Sequence, residues 1–571
     1  MSNFIDQQFI HLEVGATSSL KFLRLWQAWR AESNRSRMLH VVALCTGTYD
    51  NPPAEAALQT LAEALDAQLW GLLPGFHRLV FEDGQVLLTL CIGDVAKLLR
   101  QQRFEADTID VNTAQVVATE WVYTAKALAK LCKPGGLLTT SPTLNNNEFI
   151  EAALTQCGFV IHAGGHSIKA SYSAVWLTKK PGQAVVPSTC VVVGAGLAGA
   201  AVANSLARRG WTVTVVDGAA TAAAGASGLP AGLVVPHTSP DDAVLSRLSR
   251  AGVRITLQQT RSLLRHGKDW ALTGVLQRTL DSQAGDAQYL PASWIEHHSD
   301  AARDWCYPAS ARSLAAAGLP DGLTTHSQAL WHQQAGWIKP AALVKAWLAA
   351  PGISWGGEAK VADIQRTDDG WQLRDAAGQL LAQAALVVLS AGYASQALAK
   401  VAGTATSDLQ AIRGQVTFGM QKDSDNLPPF AVNGHGGLTT AVTTPDGPMW
   451  VMGAGYERDV DVPNIKDQDH ADNLARLKTL LPRAADALAE LFSPPHARGW
   501  AGIRCATTNR LPRVGRLVAD DSGAGLWLCT GMGSRGLSFA ALCAELLAAH
   551  LHGEPLPIDS QLANAMAAKN V

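Results

Sequence analysis

The first third of the chain alternates short apolar runs with segments of helical spacing. Leu39 to Leu44, Val86 to Leu90 and Gly158 to His162 are apolar runs of strand length. Glu120 to Cys132 repeats apolar residues at intervals of three and four, which is typical of an amphipathic helix. Because strands that alternate with helices favour a parallel sheet covered by helices, we expect an α/β domain here.

A second pattern starts near residue 190. The stretch 179–189 contains two prolines and a glycine and predicts a linker. We therefore expect one domain over residues 1–178 and a second region over residues 190–571. The second region opens with a strand, a glycine-rich loop, a helix and another strand.

Composition narrows the class of protein. The 571 residues are enough for two or three domains. Hydrophobic residues make up 47% and charged residues 16%, which excludes a disordered chain, and the net charge of -2 excludes a chain that is basic as a whole. The nine cysteines form no CxxC pair and no zinc-spaced cluster, so we expect no metal site and a cytoplasmic protein with reduced thiols. The sequence has no leader-like segment and no charge-free apolar run of about 18 residues, so we expect no membrane span.

The strongest local signal is a dinucleotide-binding fingerprint. The apolar strand ending at Val193 runs directly into Gly194, Gly196 and Gly199, and a helix follows. Glycines at this spacing permit a tight turn, close approach of a pyrophosphate and close packing of helix on strand. Asp217 ends the next strand, 18 residues after Gly199, where a carboxylate can bind ribose hydroxyls. An acid there favours an unphosphorylated ribose, and therefore FAD or NAD over NADP.

Two further glycine-rich segments favour FAD. A loop that includes Ser227 and Gly228 follows soon after Asp217, where a further βα unit would be usual in a NAD dehydrogenase. Near the C-terminus, a strand again runs into a glycine loop and a helix, whose N-terminus would stabilise a reduced, anionic flavin. The candidate cofactor residues of this second loop are Gly531, Gly533, Ser534, Arg535, Gly536 and Leu537.

These segments resemble the glycine oxidase/D-amino-acid oxidase superfamily. Longer phrases, "GIRCATTNRLPRVG", "GMGSRGLSFAALCAELL" and "GEPLPIDSQLANAM", resemble the bifunctional tRNA 5-methylaminomethyl-2-thiouridine biosynthesis family (MnmC). The resemblance covers residues 190–571. It implies an FAD-binding Rossmann-type domain (about 190–275, 335–400 and 500–571) interleaved with a mixed-sheet substrate domain (about 276–334 and 401–499).

The resemblance also implies a reaction, a substrate and its binding residues. The reaction is FAD-dependent oxidation of a CH–NH group. It removes the carboxymethyl group from 5-carboxymethylaminomethyl-(2-thio)uridine at wobble position 34 of tRNA and leaves the 5-aminomethyl nucleoside and glyoxylate. A guanidinium can hold a carboxylate in bidentate fashion, so Arg504 is the first candidate for binding the substrate. For Arg413, substrate and structural roles stay equally open.

The first domain resembles the methyltransferase half of the same family, in degenerate form. "LEVGATSSLKFLRLWQAWR" (Leu12–Arg30) and "KPGGLLTT" match, and the chain begins about 50 residues later than such a domain, so we expect a truncated Rossmann-like fold. Of the three loop glycines that would approach S-adenosylmethionine, only Gly15 remains, and Cys45 replaces the acid after the second strand. Asp110 is the remaining candidate methyltransferase residue.

Several alternatives stay open. Glu13, Gly15, Asp94 and Asp110 could form a weak S-adenosylmethionine site that makes the 5-methylaminomethyl product, but we favour a pseudoenzyme domain kept for packing or for tRNA contact. The whole chain could instead be an oxidase of glycine, sarcosine or a D-amino acid, or a tRNA-binding protein without catalysis. A monomer is favoured.

Overall fold

The computed structural model describes residues 7–47, 49–52, 55–142, 147–162, 167–173, 184–279, 290–291, 294, 300–319, 329–405, 408–422, 426–519 and 524–568. The chain forms two compact units. The first comprises Met1–Pro187 and Glu545–Asn564, and the second comprises Ser188–Ala544 and Ala565–Val571. Residues 179–183 of the expected linker lie outside the described residues.

The first unit is built on a mainly parallel sheet. Within the described residues its strands are β1 Gln8–Val14, β2 Met38–Cys45, β3 Gly75–Phe81, β4 Val86–Ile92, β5 Ala106–Val111, β6 Cys132–Thr140, β7 Phe159–His162 and β8 Lys169–Tyr172. The order across the sheet is β3-β4-β2-β1-β5-β6-β8-β7. Strands β4, β2, β1, β5 and β6 run parallel. The chain first adds β2 and β4 on one side of β1 and later adds β5 and β6 on its other side, so the strand order switches between β1 and β5. The carboxyl ends of β1 and β5 are therefore the place where a ligand of such a sheet would bind.

Helices cover both faces of this sheet. They are α1 Leu20–Ala31, α2 Gln59–Asp66, α3 Val95–Gln101, α4 Trp121–Leu131 and α5 Asn147–Gln156. On one face the rings of Trp26 and Phe81 pack with centroids 4.6 Å apart, and on the other Phe104, Trp121 and Phe159 are buried. The near-continuous apolar strands follow from burial on both faces.

The second unit contains a parallel sheet of its own. Its strands, in spatial order, are β17 Ile353–Gly356, β10 Thr212–Val216, β9 Thr189–Val193, β21 Leu386–Leu389, β29 Gly525–Thr530 and β28 Arg513–Val518. All neighbours are parallel except β28 and β29. The two glycine loops follow β9 and β29, so both lie at the carboxyl edge of this sheet.

A larger mixed sheet completes the second unit. Its strands are β14 Cys306–Pro308, β15 Ala329–His332, β13 Val275–Arg278, β23 Ala431–Gly434, β24 Gly436–Thr444, β25 Gly447–Gly453, β22 Leu409–Met420 and β26 Glu457–Arg458, with β27 Arg498–Thr507 also paired to β22. The second unit also has two three-stranded sheets. One consists of β11 Gly232–Val234, β16 Gly336–Ile338 and β12 Trp270–Ala271, in that order. The other consists of β18 Asp363–Thr367, β19 Gly370–Arg374 and β20 Leu380–Ala384.

The remaining helices pack on these sheets. They are α6 Leu197–Arg208, α7 Val244–Leu263, α8 Asp300–Arg303, α9 Ala311–Ala316, α10 Pro340–Leu348, α11 Ser395–Val401, α12 Asp467–Leu480, α13 Pro482–Leu488, α14 Gly536–His552 and α15 Ser560–Ala565. In the mixed-sheet part, Trp450 stacks on Phe492 with ring centroids 5.3 Å apart.

The expected fold class is confirmed: an α/β architecture with a Rossmann-like first unit and a second unit that combines a parallel sheet with a mixed sheet. The expected strands and helices are present within two or three residues of their predicted ends. The helix after the first glycine loop begins at Leu197, because the loop closes within three residues. The exact domain boundaries stay a prediction.

Candidate functional site

The first glycine loop is held so tightly that side chains would not fit. Gly194 has φ of +109°, and a β-carbon there would lie 2.5 Å from the carbonyl oxygen of Ser390. A β-carbon on Gly199 would overlap the carbonyl oxygen of Gly194. The two glycines therefore let α6 begin directly against the end of β9, as a dinucleotide-binding loop requires.

The N-terminus of α6 opens between Gly196 and Ser227. The hydroxyl of Ser227 accepts a hydrogen bond from the Leu197 N–H at 2.9 Å and lies 3.1 Å from the β-carbon position of Gly196. A longer side chain at position 196 would displace Ser227 from the helix end. Free N–H groups and the helix dipole make this end suitable for a phosphate.

Asp217 is fixed at the end of β10. Its Oδ2 accepts the Ala195 N–H at 2.8 Å, and its Oδ1 accepts the Ala219 N–H at 2.9 Å. Each oxygen keeps a further lone pair, so the carboxylate can also bind hydroxyl groups. The fingerprint acid thus stands beside the glycine loop, where a ribose would follow the pyrophosphate.

The second glycine loop is anchored by α7. The Gly533 N–H donates to the carbonyl of Cys505 at 2.7 Å, and the Thr256 hydroxyl donates to the carbonyl of Leu537 at 2.7 Å. A β-carbon on Gly252 would overlap the carbonyl oxygen of Ser538. Backbone contact with α7 therefore fixes the N-terminus of α14. Gly252 and Thr256 were not expected from the sequence, because their role depends on a partner far away along the chain.

Both loops open into one cavity of about 1820 Å³. This volume is above the usual range for a small-molecule pocket, as a dinucleotide together with a substrate would require. The sequence-predicted residues that line it are Gly194, Gly196, Asp217, Ser227, Arg504, Gly533, Ser534, Arg535, Gly536 and Leu537. Gly199, Gly228 and Gly531 do not line the cavity and instead shape the backbone behind it.

Arg504 brings a positive charge into this cavity. It lies on β27, its guanidinium donates to the carbonyl of Gly455, and its Cζ lies 5.4 Å from the ring centroid of Tyr456. Burial lowers the pKa of Arg504 below its ordinary value. Among the described residues Arg504 forms no ion pair. A desolvated cation without a counter-charge is suited to an anionic ligand.

Arg413 is placed elsewhere. It is 1% exposed, its Nη1 lies 2.7 Å from Asp469 Oδ2 and 3.1 Å from Glu457 Oε2, and its Nε donates to the carbonyl of Asn464 at 2.9 Å. Gln415 accepts a further hydrogen bond at 2.9 Å. Its donors are thus used by the protein itself, and it does not line the cavity.

His237 lines the cavity and was not among the expected site residues. Its ring contacts Ser246, with Nδ1 and Oγ 3.0 Å apart. The available signal was a polar residue directly after a short apolar strand that leads away from the first glycine loop.

In the first unit, the crevice between β1 and β5 does not fit S-adenosylmethionine. Gly15 has φ of +75°, but the side chain of Gln115 packs against it, with Cβ 2.5 Å from the position of a Gly15 β-carbon. Gln115 Oε1 also accepts a hydrogen bond from the Thr46 hydroxyl at 3.1 Å. This bridge crosses the loop that the cofactor would have to approach.

The charges in this crevice are also unfavourable for a cationic cofactor. Asp110 Oδ2 lies 3.0 Å from Lys21 Nζ and 3.7 Å from His11 Nε2. Burial raises the pKa of Glu13 to about 7 and lowers that of His11 to about 4. Asp94 is occupied as the N-cap of α3 and accepts the Lys97 N–H at 2.9 Å. The expected weak site is therefore not assembled as an anionic pocket.

The described part of the chain contains neither a cluster of metal-ligating residues nor a membrane-spanning helix. No group of three or more His, Cys, Asp or Glu residues there is arranged to hold a metal ion. None of the helices there is long and apolar enough to cross a membrane.

Comparison with known proteins agrees with this geometry. Residues 189–550 match the family of FAD-dependent oxidoreductases. The chain is 47% identical to the tRNA 5-methylaminomethyl-2-thiouridine biosynthesis bifunctional protein MnmC of Polaromonas naphthalenivorans, over 98% of this chain and 90% of that protein. It is 44% identical to the protein of the same name from Delftia acidovorans, over 98% and 91%.

Solved structures show the same fold at low sequence identity. Glycine oxidase from Geobacillus kaustophilus matches with a TM-score of 0.51 and 17% identity, over 66% of this chain and 98% of that one. Fructosamine oxidase (Amadoriase II) from Aspergillus fumigatus matches with a TM-score of 0.50 and 15% identity, over 67% and 90%. With these matches, the chain belongs to the FAD-dependent oxidoreductases and, among them, to the MnmC family of bifunctional tRNA 5-methylaminomethyl-2-thiouridine biosynthesis proteins.

Proposed function

We propose that this protein oxidatively removes the carboxymethyl group from 5-carboxymethylaminomethyl-(2-thio)uridine at wobble position 34 of tRNA, in the cytoplasm and as a monomer. The observation that carries the proposal is Arg504, a desolvated guanidinium without an ionic partner among the described residues, on the wall of a cavity built for a dinucleotide. The substrate's terminal group is an N-substituted glycine, whose carboxylate such a guanidinium can hold. The choice of tRNA as the bearer of this group comes from the names of the relatives.

We propose that the two glycine loops and Asp217 bind FAD. The pyrophosphate would lie over Gly194 and Gly196 at the start of α6, and Asp217 would bind ribose hydroxyls. The N-terminus of α14, with Gly533 and Ser534, would face the flavin. When bound there, FAD supplies the acceptor for a hydride.

The protein's own part is binding and orientation. Arg504 would hold the carboxylate so that the adjacent CH₂ faces the acceptor. That carbon loses a hydride, the C–N bond becomes an imine, and water then cleaves it into glyoxylate and a primary amine on the nucleobase. Burial of the site keeps the interaction between guanidinium and carboxylate strong.

The product would stop at the 5-aminomethyl nucleoside. Gln115 covers Gly15, and Lys21 places a cation beside Asp110 where a sulfonium cofactor would have to bind. We therefore assign no methyl transfer to the first unit. Methylation of the primary amine would need a separate methyltransferase.

Anaerobic flavin bleaching tests the proposal. The FAD-loaded protein is mixed with tRNA that carries the carboxymethylaminomethyl group, and separately with glycine and with sarcosine. Bleaching by the tRNA, with glyoxylate and a primary-amine nucleoside as products, is expected. Bleaching by the free amino acids alone would make the protein a small-molecule oxidase, and bleaching by none of them would favour a tRNA-binding protein without catalysis.

A further inference from the structure

His237 is held on two sides by α7. It follows β11 and lines the same cavity as Arg504. Its backbone N–H donates to the hydroxyl of Ser249 at 2.9 Å, and its ring Nδ1 lies 3.0 Å from the hydroxyl of Ser246. The imidazole is therefore fixed through Nδ1, whereas Nε2 has no hydrogen-bond partner among the described residues.

The contacts of the ring are consistent with a proton on Nδ1. Nδ1 pairs with the Ser246 hydroxyl at 3.0 Å, and that hydroxyl lies 2.9 Å from the Ser239 hydroxyl, which also accepts the Ala243 N–H at 3.1 Å. When Ser246 donates to Ser239, Nδ1 of His237 donates to Ser246, and the neutral ring presents Nε2 as a proton acceptor.

The surroundings keep this ring neutral. Burial lowers the pKa of His237, and the charges of Arg535 and Arg510 lower it further, against a smaller opposite effect of Asp241. The ring of His332 is the other titratable group that interacts with His237, and burial lowers the pKa of His332 to about 4, so it too is neutral at pH 7. At neutral pH the cavity thus contains an unprotonated imidazole and the cations of Arg504 and Arg535.

We propose that Nε2 of His237 is the catalytic base that takes the proton from the substrate's secondary ammonium before oxidation. This inference rests on the proposed function. A secondary ammonium has no lone pair to form the C=N bond, so it must lose a proton before the neighbouring carbon can lose a hydride. The proton passes from the substrate nitrogen to Nε2, and the freed lone pair can then form the C=N bond of an iminium, for which bound FAD would supply the hydride acceptor. Addition of water to the iminium carbon breaks the C–N bond into glyoxylate and the amine and releases one proton to solvent, and His237 returns its own proton to the amine.

The deciding variant is His237→Asn. Asparagine can place an amide donor near the position of Nδ1, so the contact with Ser246 can be kept while the base is lost. We expect flavin reduction by the modified tRNA to slow about 100-fold or more at pH 7, the range for loss of a general base. The rate should then recover by about tenfold per pH unit in alkali, because free amine forms in solution and no longer needs a base. Affinity for the tRNA, measured by filter binding, should stay within about threefold of wild type.

Two serine variants separate catalysis from structural support. Ser246→Ala removes the ring contact and should slow flavin reduction, whereas Ser262→Ala, at an exposed position of the same helix, should leave the rate unchanged. A wild-type rate for His237→Asn at pH 7 would overturn the proposal. An equal loss at every pH, with normal FAD content, would also overturn it, since that is the result of a structural role. If the modified tRNA does not bleach the wild-type holoenzyme, the proposed function itself fails, and this inference fails with it.

Discussion

Nζ of Lys21 lies 3.0 Å from Oδ2 of Asp110, at the carboxyl ends of β1 and β5. This ion pair places a fixed cation at the point of the sheet where a cofactor of this fold would bind. Together with Gln115 over Gly15, it removes both the space and the negative charge that S-adenosylmethionine would need.

We therefore expect no saturable heat when S-adenosylmethionine is titrated into the protein in a calorimeter. Nucleosides from tRNA treated with protein and S-adenosylmethionine should contain the primary amine and no methylated amine. A methylated product in mass spectrometry, absent when S-adenosylmethionine is left out, would contradict this assignment.

Replacement of Arg504 tests the carboxylate clamp. Arg504→Met should raise KM for the modified tRNA by about 10- to 100-fold, because hydrogen bonds to a charged group contribute about 1.5–3 kcal/mol. Arg498→Met, on the same strand but at an exposed position, is the matched control and should leave KM unchanged. Equal effects of the two substitutions would argue for a general electrostatic role in tRNA binding.

Arg413→Met should lower the free energy of unfolding and leave the rate of flavin reduction unchanged. Removal of one partner of a buried ion pair costs about 3–5 kcal/mol, and the partial exposure of Glu457 and Asp469 places the expected loss near the lower end, about 3 kcal/mol. Urea unfolding measures this loss, with Arg458→Met at an exposed neighbouring position as control. Normal stability combined with lost flavin reduction would return Arg413 to the active site.

Gly252→Ala should weaken FAD binding although Gly252 does not line the cavity. The added methyl group would overlap the carbonyl of Ser538 and push α14 away from α7, an overpacking that costs about 1–3 kcal/mol. The flavin content of the purified protein measures the effect. Gly47→Ala, where no atom lies within 4 Å of the new carbon, should retain full flavin content.

The first unit should respond to pH through Glu13 and His11. Burial raises the pKa of Glu13 from 4.5 to about 7, so the folded state retains a proton that the unfolded state releases, and stability falls as pH rises through this window. Burial lowers the pKa of His11 from 6.5 to about 4, so its contribution is lost as pH falls from 6.5 to 4. Between pH 4.5 and 6.5 the contributions of Glu13 and His11 to the pH dependence of stability have opposite signs.

Glu13→Gln should therefore reveal the pH dependence that His11 alone gives to the stability of the first unit. The variant should lose stability on acidification below pH 6.5, and above pH 7 it should be more stable than wild type by about 3 kcal/mol. The stability of this unit can be measured separately by proteolysis at increasing urea concentrations, followed through the peptides that contain β1. A variant with the pH profile of the wild type would show that Glu13 is ionised in the folded protein.

The parts of the site that could be predicted are those encoded locally. Gly194, Gly199 and Asp217 are close in sequence, and the spacing of a turn, a helix and a strand determines where they lie. The role of Arg413 could not be decided from the sequence, because its placement depends on strand register. Ile412 pairs with Arg504 in β22 and β27, and side chains alternate between faces, so Arg413 is on the opposite face from Arg504. The position of His237 on the cavity wall was missed because it depends on contacts with Ser246 and Ser249 of α7, which tertiary packing brings to it.

The segment Glu545–Asn564 groups with the first unit although the chain reaches it only after completing the flavin cradle. Within that unit, Glu554 Oε2 lies 3.7 Å from His40 Nε2, the Arg78 guanidinium donates to the carbonyl of Pro555, and Ile558 is buried. Cleavage at Pro187 would therefore leave residues 545–564 attached to the second unit but without these partners.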